Sequence, residues 1–264
     1  MPTGIRRGLG VYAALVCLLS VLPVLVIVIG SFTASDDMAF PPRGFSLKWY
    51  LAAAAREEFV RSFVLSLTVA FAASLLATVL GTLVALALAR HRFFGRAALR
   101  ALFMAPLRLP RIVFGLALLR FLTAWGMPRD IVAVTLAHVV IALPFAVRFI
   151  SVALRDIPAM AERAAQSLGA DGWTVFRRVT LPMIRPGFVA SLVFAFVLSF
   201  GDVAVALFLA SPDSTTLPVR IFLHIDQSHD PLITAVSAVV VFLTFGVLAV
   251  LERTMGMGKL FGLR

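Results

Sequence analysis

Two ionisable side chains stand where the surrounding chain is apolar. Asp202 lies in Leu198-Ser-Phe-Gly-Asp202, and His138 lies in a run rich in valine, alanine and leucine. An acid and an imidazole in such surroundings can relay protons, meet a cation or close an ion pair. A charge at the bilayer centre costs about 2.5–3.5 kcal/mol on insertion scales, so it faces protein or a water-filled path. Two readings of Asp202 stand side by side. It is a contact on a translocation pathway, or a group paired between helices with an arginine of the third apolar run. Gly201 beside it permits close approach of another backbone or local loosening of the helix. His138 reads first as a hydrogen-bonded packing residue and second as a proton carrier. Arg108 and Arg111 lie between and after Pro106 and Pro110. Prolines free backbone carbonyls, which places this stretch at an interface or against a cavity. Arg108 is expected to snorkel toward the inner surface. Asp202, Gly201, Arg111 and His138 are therefore the candidate solute pathway.

Other chemistry has little support. His224 and His229 accompany Asp226 and Asp230 in a polar loop, at spacings that match no tight metal site. The single cysteine, Cys17, excludes an intrachain disulfide and a cysteine metal cluster. No Gly-x-x-x-x-Gly-Lys-Ser/Thr loop is present to cradle nucleotide phosphates. Gly-x-Ser-x-Gly and His-Glu-x-x-His are absent too, which removes the commoner hydrolase signatures. No catalytic residue, metal or cofactor is expected.

The elements that position these residues are membrane helices. Of 264 residues, 61% are apolar and 14% charged, against roughly half apolar in soluble domains. Apolar runs fall at about 9–30, 60–89, 101–122, 130–152, 187–209 and 231–251, the third broken by Pro106 and Pro110. Each is near the ~20 residues a helix needs to cross the hydrocarbon core. The first is longer than the apolar core of a cleaved signal peptide, about 7–15 residues, and reads as a retained span. Phe45-Ser-Leu-Lys-Trp-Tyr50 suits a short helix at the outer interface. A net charge of +11 raises nucleic acid as a partner, but the basic residues bracket alternate ends of the runs. Fourteen of the 24 lysines and arginines fall in segments that alternation places inside, and six in those placed outside. The positive-inside rule then predicts a polytopic all-α protein in a lipid bilayer, without nucleic acid, and with both termini cytoplasmic. A single transmembrane domain spans 1–264.

One water-compatible stretch, Asp156 to Pro186, separates the fourth and fifth runs on the inner side. Its punctuation predicts two short helices. Asp156 caps the first, Pro158 sits in its opening turn and Gly169 closes it in a left-handed conformation. Asp171 caps the second, which is expected to end before Pro182. Ala161, Ala164, Ala165 and Leu168 share one side of the first helix. Spacing alone leaves open an ordinary amphipathic loop helix.

Within that stretch, Glu162-Arg-Ala-Ala-Gln-Ser-Leu-Gly169, nine residues, then Val179-Thr-Leu-Pro182 resembles the cytoplasmic signature of permease subunits of bacterial ABC importers. The family pattern is Glu-Ala-Ala, three residues, Gly, nine residues, Ile-x-Leu-Pro. Aligned on Gly169, the family's glutamate falls on Arg163, and Glu162 stands one place earlier. Phe45–Tyr50, Ala105-Pro-Leu-Arg-Leu-Pro110, Leu198–Asp202, Leu217-Pro-Val-Arg-Ile221 and Asp230-Pro-Leu-Ile-Thr-Ala235 are similar to the spermidine/putrescine permease branch. That branch usually carries an acid where Gly201 stands.

The resemblance implies a type I ABC importer permease fold with about six transmembrane helices in the bacterial inner membrane. This chain would form half of a pore with a second permease or a copy of itself. Coupling helices within 157–181 would dock on a separate ATPase through Glu162, Arg163, Ala164, Ala165, Leu168, Gly169, Val179, Leu181 and Pro182. ATP hydrolysis would belong to that other chain, whose closure would draw the coupling helices together and switch the pore between inward- and outward-open. An outer solute-binding protein would deliver a small solute. A polyamine is expected first, with ferric ion, thiamine or a phosphonate as alternatives. A stand-alone secondary transporter using Asp202 and His138 as a proton relay is the reading from another class.

Overall fold

The computed structural model describes residues 3–228 and 230–255. His229, Lys259 and Arg264, each used in the sequence reading, lie outside the described residues. Among the described residues the fold is helical, with one isolated bridge pair, Thr33 with Phe45. The helices are α1 Thr3–Gly30, α2 Lys48–Ala55, α3 Glu57–Arg90, α4 Arg96–Met104, α5 Arg111–Ala124 and α6 Ile131–Arg155. They continue as α7 Ala159–Ser167, α8 Gly172–Val175, α9 Leu181–Phe200, α10 Ala206–Leu209, α11 Leu217–Gln227 and α12 Leu232–Met255. Among the described residues, five stretches are long and apolar enough to cross a membrane, or six if a bent pair counts as one span.

The chain divides into two compact units, residues 1–61 with 220–245, and residues 62–219 with 246–264. In the first unit, no residue of Leu9–Gly30 is buried. A helix that is apolar all round and covered by none of its own chain must be solvated by lipid or another helix. The loop after it is pinned by small bonds. Tyr50 and Ser31 hydroxyls lie 2.6 Å apart, and Trp49 Nε1 donates to the Ser35 carbonyl at 3.2 Å. The helix expected at Trp49 and Tyr50 is thus α2. His224 and Arg56 both meet Asp230, at 3.1 and 3.8 Å.

In the second unit α3, α6 and α9 supply most of the core. Ala73 and Ala77 meet Val139, Ala142 and Ala195 at one level. Ala85, Leu88, Val147, Ile150, Leu154 and Ile184 meet at another. Small residues let these axes approach, because without a hydrophobic force between helices in lipid, close packing must hold them. A Cβ on Gly187 would stand 2.5 Å from Ala153 Cβ, and one on Gly81 would stand 2.6 Å from Ala146 Cβ.

The third run, 101–122, is broken at its prolines as expected: α4 and a 3₁₀ turn, Ala105–Arg108, meet α5 at a 106° bend. Pro110 is the N-cap of α5 and has no N–H to continue a ladder. Three sequence expectations are corrected here. The fifth run, 187–209, is displaced toward the amino end. Its candidate span runs Gly172–Phe200 and then breaks, leaving α10 as a separate turn of helix. Asp156 does not cap α7. It is the C-cap residue of α6, and Pro158 occupies the N-cap of α7 with no side-chain cap. Nor does the second short helix stop before Pro182. A π-helical turn, Phe176–Thr180, carries it directly into α9. Pro182 has no N–H for the carbonyl four residues back, and its ring crowds that carbonyl. The wider turn opens the helix before the ring arrives.

Candidate functional site

Two constellations carry the candidate residues, both in the second unit. The first is the stretch after α6. Gly169 has φ +85°, a backbone that only glycine adopts readily. Its N–H donates to the Gln166 carbonyl at 2.9 Å, and the Ala170 N–H donates to Ala165 at 3.1 Å. This is the Schellman pair of bonds that closes a helix. Asp171 caps α8 by accepting from the Thr174 N–H at 3.1 Å. That contact with Thr174 holds its exposed carboxyl below the ordinary carboxylate range. On either side of these caps large apolar side chains are exposed. Met160 is 78% exposed, Leu168 89% and Trp173 66%. Arg163 and Ala164 are exposed, and Ala165 and Val179 are half-buried. Leu181 and Pro182 are exposed on the first turn of α9.

Glu162 behaves differently from its neighbours. Its Oε1 accepts from Arg90 Nη2 at 2.8 Å and from Thr180 Oγ1 at 2.8 Å. The side chain is 17% exposed, against 31% for Arg90. A shallow cleft lined by Leu86, Arg90, Glu162, Gln166, Phe176 and Thr180 lies at this junction. Arg90 and Thr180 were not singled out from sequence. They are 72 and 18 residues from Glu162 along the chain, and no local pattern links them.

The second constellation surrounds Asp202. α9 ends at Phe200, and Asp202 sits in the break before α10. Its Oδ2 accepts from the Val205 and Ala206 N–H groups at 2.9 and 3.1 Å, satisfying the N-cap residue and the first residue of α10. Its Oδ1 meets Arg111 Nη1 at 3.3 Å. The Asp202 side chain is 0% exposed and that of Arg111 46%. His138, also fully buried, holds Ser199 Oγ through Nδ1 at 2.7 Å. Its Nε2 stands 3.7 Å from Asp202 Oδ2 and makes no hydrogen bond. The structure thus brings three of the four pathway candidates together, with Ser199 added. The arginine of the third run is paired to Asp202 as one of the two readings required. Gly201 does not admit a neighbour: the nearest atom to a Cβ there is its own helix carbonyl, Val197, at 3.4 Å. The close approach falls on Gly115 of α5 instead, where a Cβ would meet Phe208 at 2.7 Å and the Ala204 carbonyl at 3.1 Å.

Chemically, the first constellation is a structured surface with uncovered apolar side chains. The second is a buried anion, shared between a helix cap and one arginine, with an unpartnered imidazole nitrogen beside it.

Comparison with known proteins gives these geometries a family. Residues 77–256 match the model of the binding-protein-dependent transport system inner membrane component. The chain is 34% identical over 225 residues to the putrescine transport system permease protein PotI of Escherichia coli K12, covering 83% of this chain and 80% of that one. It is 30% identical over 254 residues to a putative 2-aminoethylphosphonate transport system permease protein, PhnV, of Salmonella paratyphi A, covering 96% and 95%. A crystal structure of a bacterial ABC transporter that imports the acidic polysaccharide alginate superposes with TM-score 0.71 at 14% identity, over 96% of this chain and 98% of that one. The family match, the relatives and the shared helical architecture lead to one conclusion: this chain belongs to the binding-protein-dependent inner-membrane components and is a multi-pass permease subunit of an ABC importer.

Proposed function

We propose that residues 1–264 form one permease domain, half of an import pore for a small aliphatic amine, with a polyamine such as putrescine or spermidine as solute. The observation that carries the docking half of this reading is the exposure of Met160, Leu168 and Trp173 around two capped helix ends. Large apolar side chains grouped on an ordered polar segment mark an interaction site. The partner is a separate ATPase subunit, which holds the nucleotide site this chain lacks. A second permease completes the pore, and a solute-binding protein addresses the outer loops. Both termini and residues 156–186 lie on the cytoplasmic side, where the ATPase can reach them. Two conformations of the pore, biased by ligands at opposite surfaces, then alternate around a central site.

The solute class follows from what PotI and PhnV are named for. Putrescine and 2-aminoethylphosphonate share a protonated primary amine, and they differ in that only one carries a phosphonate. The higher identity to PotI favours the polyamine. In this reading Asp202 and Arg111 line or gate the amine's route.

The test is reconstitution of the complex purified through a tag on this chain. An ATPase in stoichiometric amount and ATP-dependent uptake of labelled putrescine are expected. Uptake of 2-aminoethylphosphonate in its place would move the solute to the second relative's class. Uptake driven by a proton gradient with no ATPase present would overturn the reading.

A further inference from the structure

The signature glutamate of the family falls on Arg163 in this chain, and the acid that stands one place earlier is turned away from the docking surface. Glu162 reaches inward to two elements at once. Arg90 is the last residue of α3, and Thr180 ends the π-helical turn that leads into α9. Both partners meet the same carboxylate oxygen at 2.8 Å. α3 and α9 are core helices of the unit, and α7 follows α6 after a short turn. The Glu162 carboxylate therefore ties the docking helix to the inner ends of two long helices with which it shares no covalent neighbour.

We propose that Glu162 is a positioning residue that clips α7 to α3 and α9 within the chain, so that displacement of α7 moves both helices. The side chain left to face a partner at the family's glutamate position is then the Arg163 cation. This inference rests on the docking reading and adds to it where the force goes. An ion pair held at one oxygen by two donors is short and charge-assisted. A clip of this kind changes coupling between distant surfaces without changing whether they bind.

The experiment is a charge swap between Arg90 and Glu162 in the full complex, read as ATP-driven uptake per copy of co-purified ATPase. Arg90→Glu and Glu162→Arg should each lower uptake roughly tenfold, inside the 5–150-fold range of coupling energies between sites. ATPase co-purification should stay intact, since neither change touches Met160, Leu168 or Trp173. The double variant restores an opposite-charge pair, with the Thr180 hydroxyl accepting from the new arginine, and should regain most of the uptake. If Glu162 instead contacted the ATPase, Arg90→Glu would be silent and the double variant no better than Glu162→Arg. Either result overturns the clip. Should a reversal prevent insertion, Glu162→Gln keeps a Thr180 bond and removes only the ion pair. Wild-type uptake by that variant would also overturn it. Absence of ATPase from the wild-type complex would be a failure of the docking reading, recognisable before any variant is made.

Discussion

The docking stretch and the Asp202 break are both interruptions of apolar helices, yet they resolve their polar groups in opposite directions. At Asp202 the acid turns inward: the carboxylate accepts from two backbone N–H groups at the start of α10, pairs with Arg111 and is fully buried. Between Met160 and Trp173 the backbone is satisfied by its own caps, and large apolar side chains are left outside. The first arrangement satisfies its acid within one chain. The second is complete only as backbone, and its side chains await a surface. An interruption in a membrane protein is thus a structural joint when its polar groups find partners inside, and a docking face when its apolar groups do not.

Breaking the inner joint should have the largest effect. Asp202→Ala leaves two α10 donors unpaired and strips Arg111 of its anion. Each buried donor left unpaired costs about 1–3 kcal/mol, read as lost folded yield and protease resistance in detergent, while Arg111, 46% exposed, is hydrated in its place. Asp202→Asn keeps an acceptor for the cap and should fall clearly short of that loss. A fully folded Asp202→Ala protein would remove the distinction between the two regions.

The next effect is on packing beneath the docking face. Gly187→Val places side-chain atoms where Ala153 and the Phe149 carbonyl already stand. Overpacking of this kind costs about 1–3 kcal/mol, measurable as a lower unfolding midpoint. Gly246→Ala, with open space around its Cβ position inside α12, is the control and should hold or slightly raise the midpoint, since alanine is the better helix former.

Trp173→Ala sharpens the comparison from the other side. The fold should be unaffected, because the indole is 66% exposed. Association with the ATPase should weaken by about 2 kcal/mol, the level at which a buried interface tryptophan counts as a hot spot. Pull-down yield and thermal midpoint must then move independently.

The smallest effect is at Asp171. Its carboxyl is held below the ordinary value by Thr174, so the cap it provides is fully present above that value and is lost as pH falls through the lowered one. Protection against amide exchange in residues 172–176, taken relative to the intrinsic rate at each pH, should be flat through neutral pH and fall only in acid. In Asp171→Ala it should be low throughout.

Much of this protein was open to reading in one dimension. Apolar runs near twenty residues and the asymmetry of basic charge report a bilayer directly, because both are local consequences of transfer energy. Gly169 and Asp171 were legible for the same reason: a left-handed C-terminal residue and an N-cap involve only a few neighbouring atoms. Asp156 and the limit at Pro182 were misread, and each error concerns how a helix meets a proline. A proline removes a bond, but whether the helix bends by 106° or widens into a π turn depends on what is packed around it. The partners of Glu162 had no signal in the order of residues, and for Asp202 that order pointed to the third run without saying which arginine. Arg90 and Arg111 lie 72 and 91 positions away from them, and only the packing of α3, α5, α6 and α9 sets those charges within hydrogen-bond range. Composition and spacing determine where a chain meets lipid and where its helices end. Which buried charge meets which is decided by tertiary contact, since electrostatic energy depends on distance through space and not along the chain.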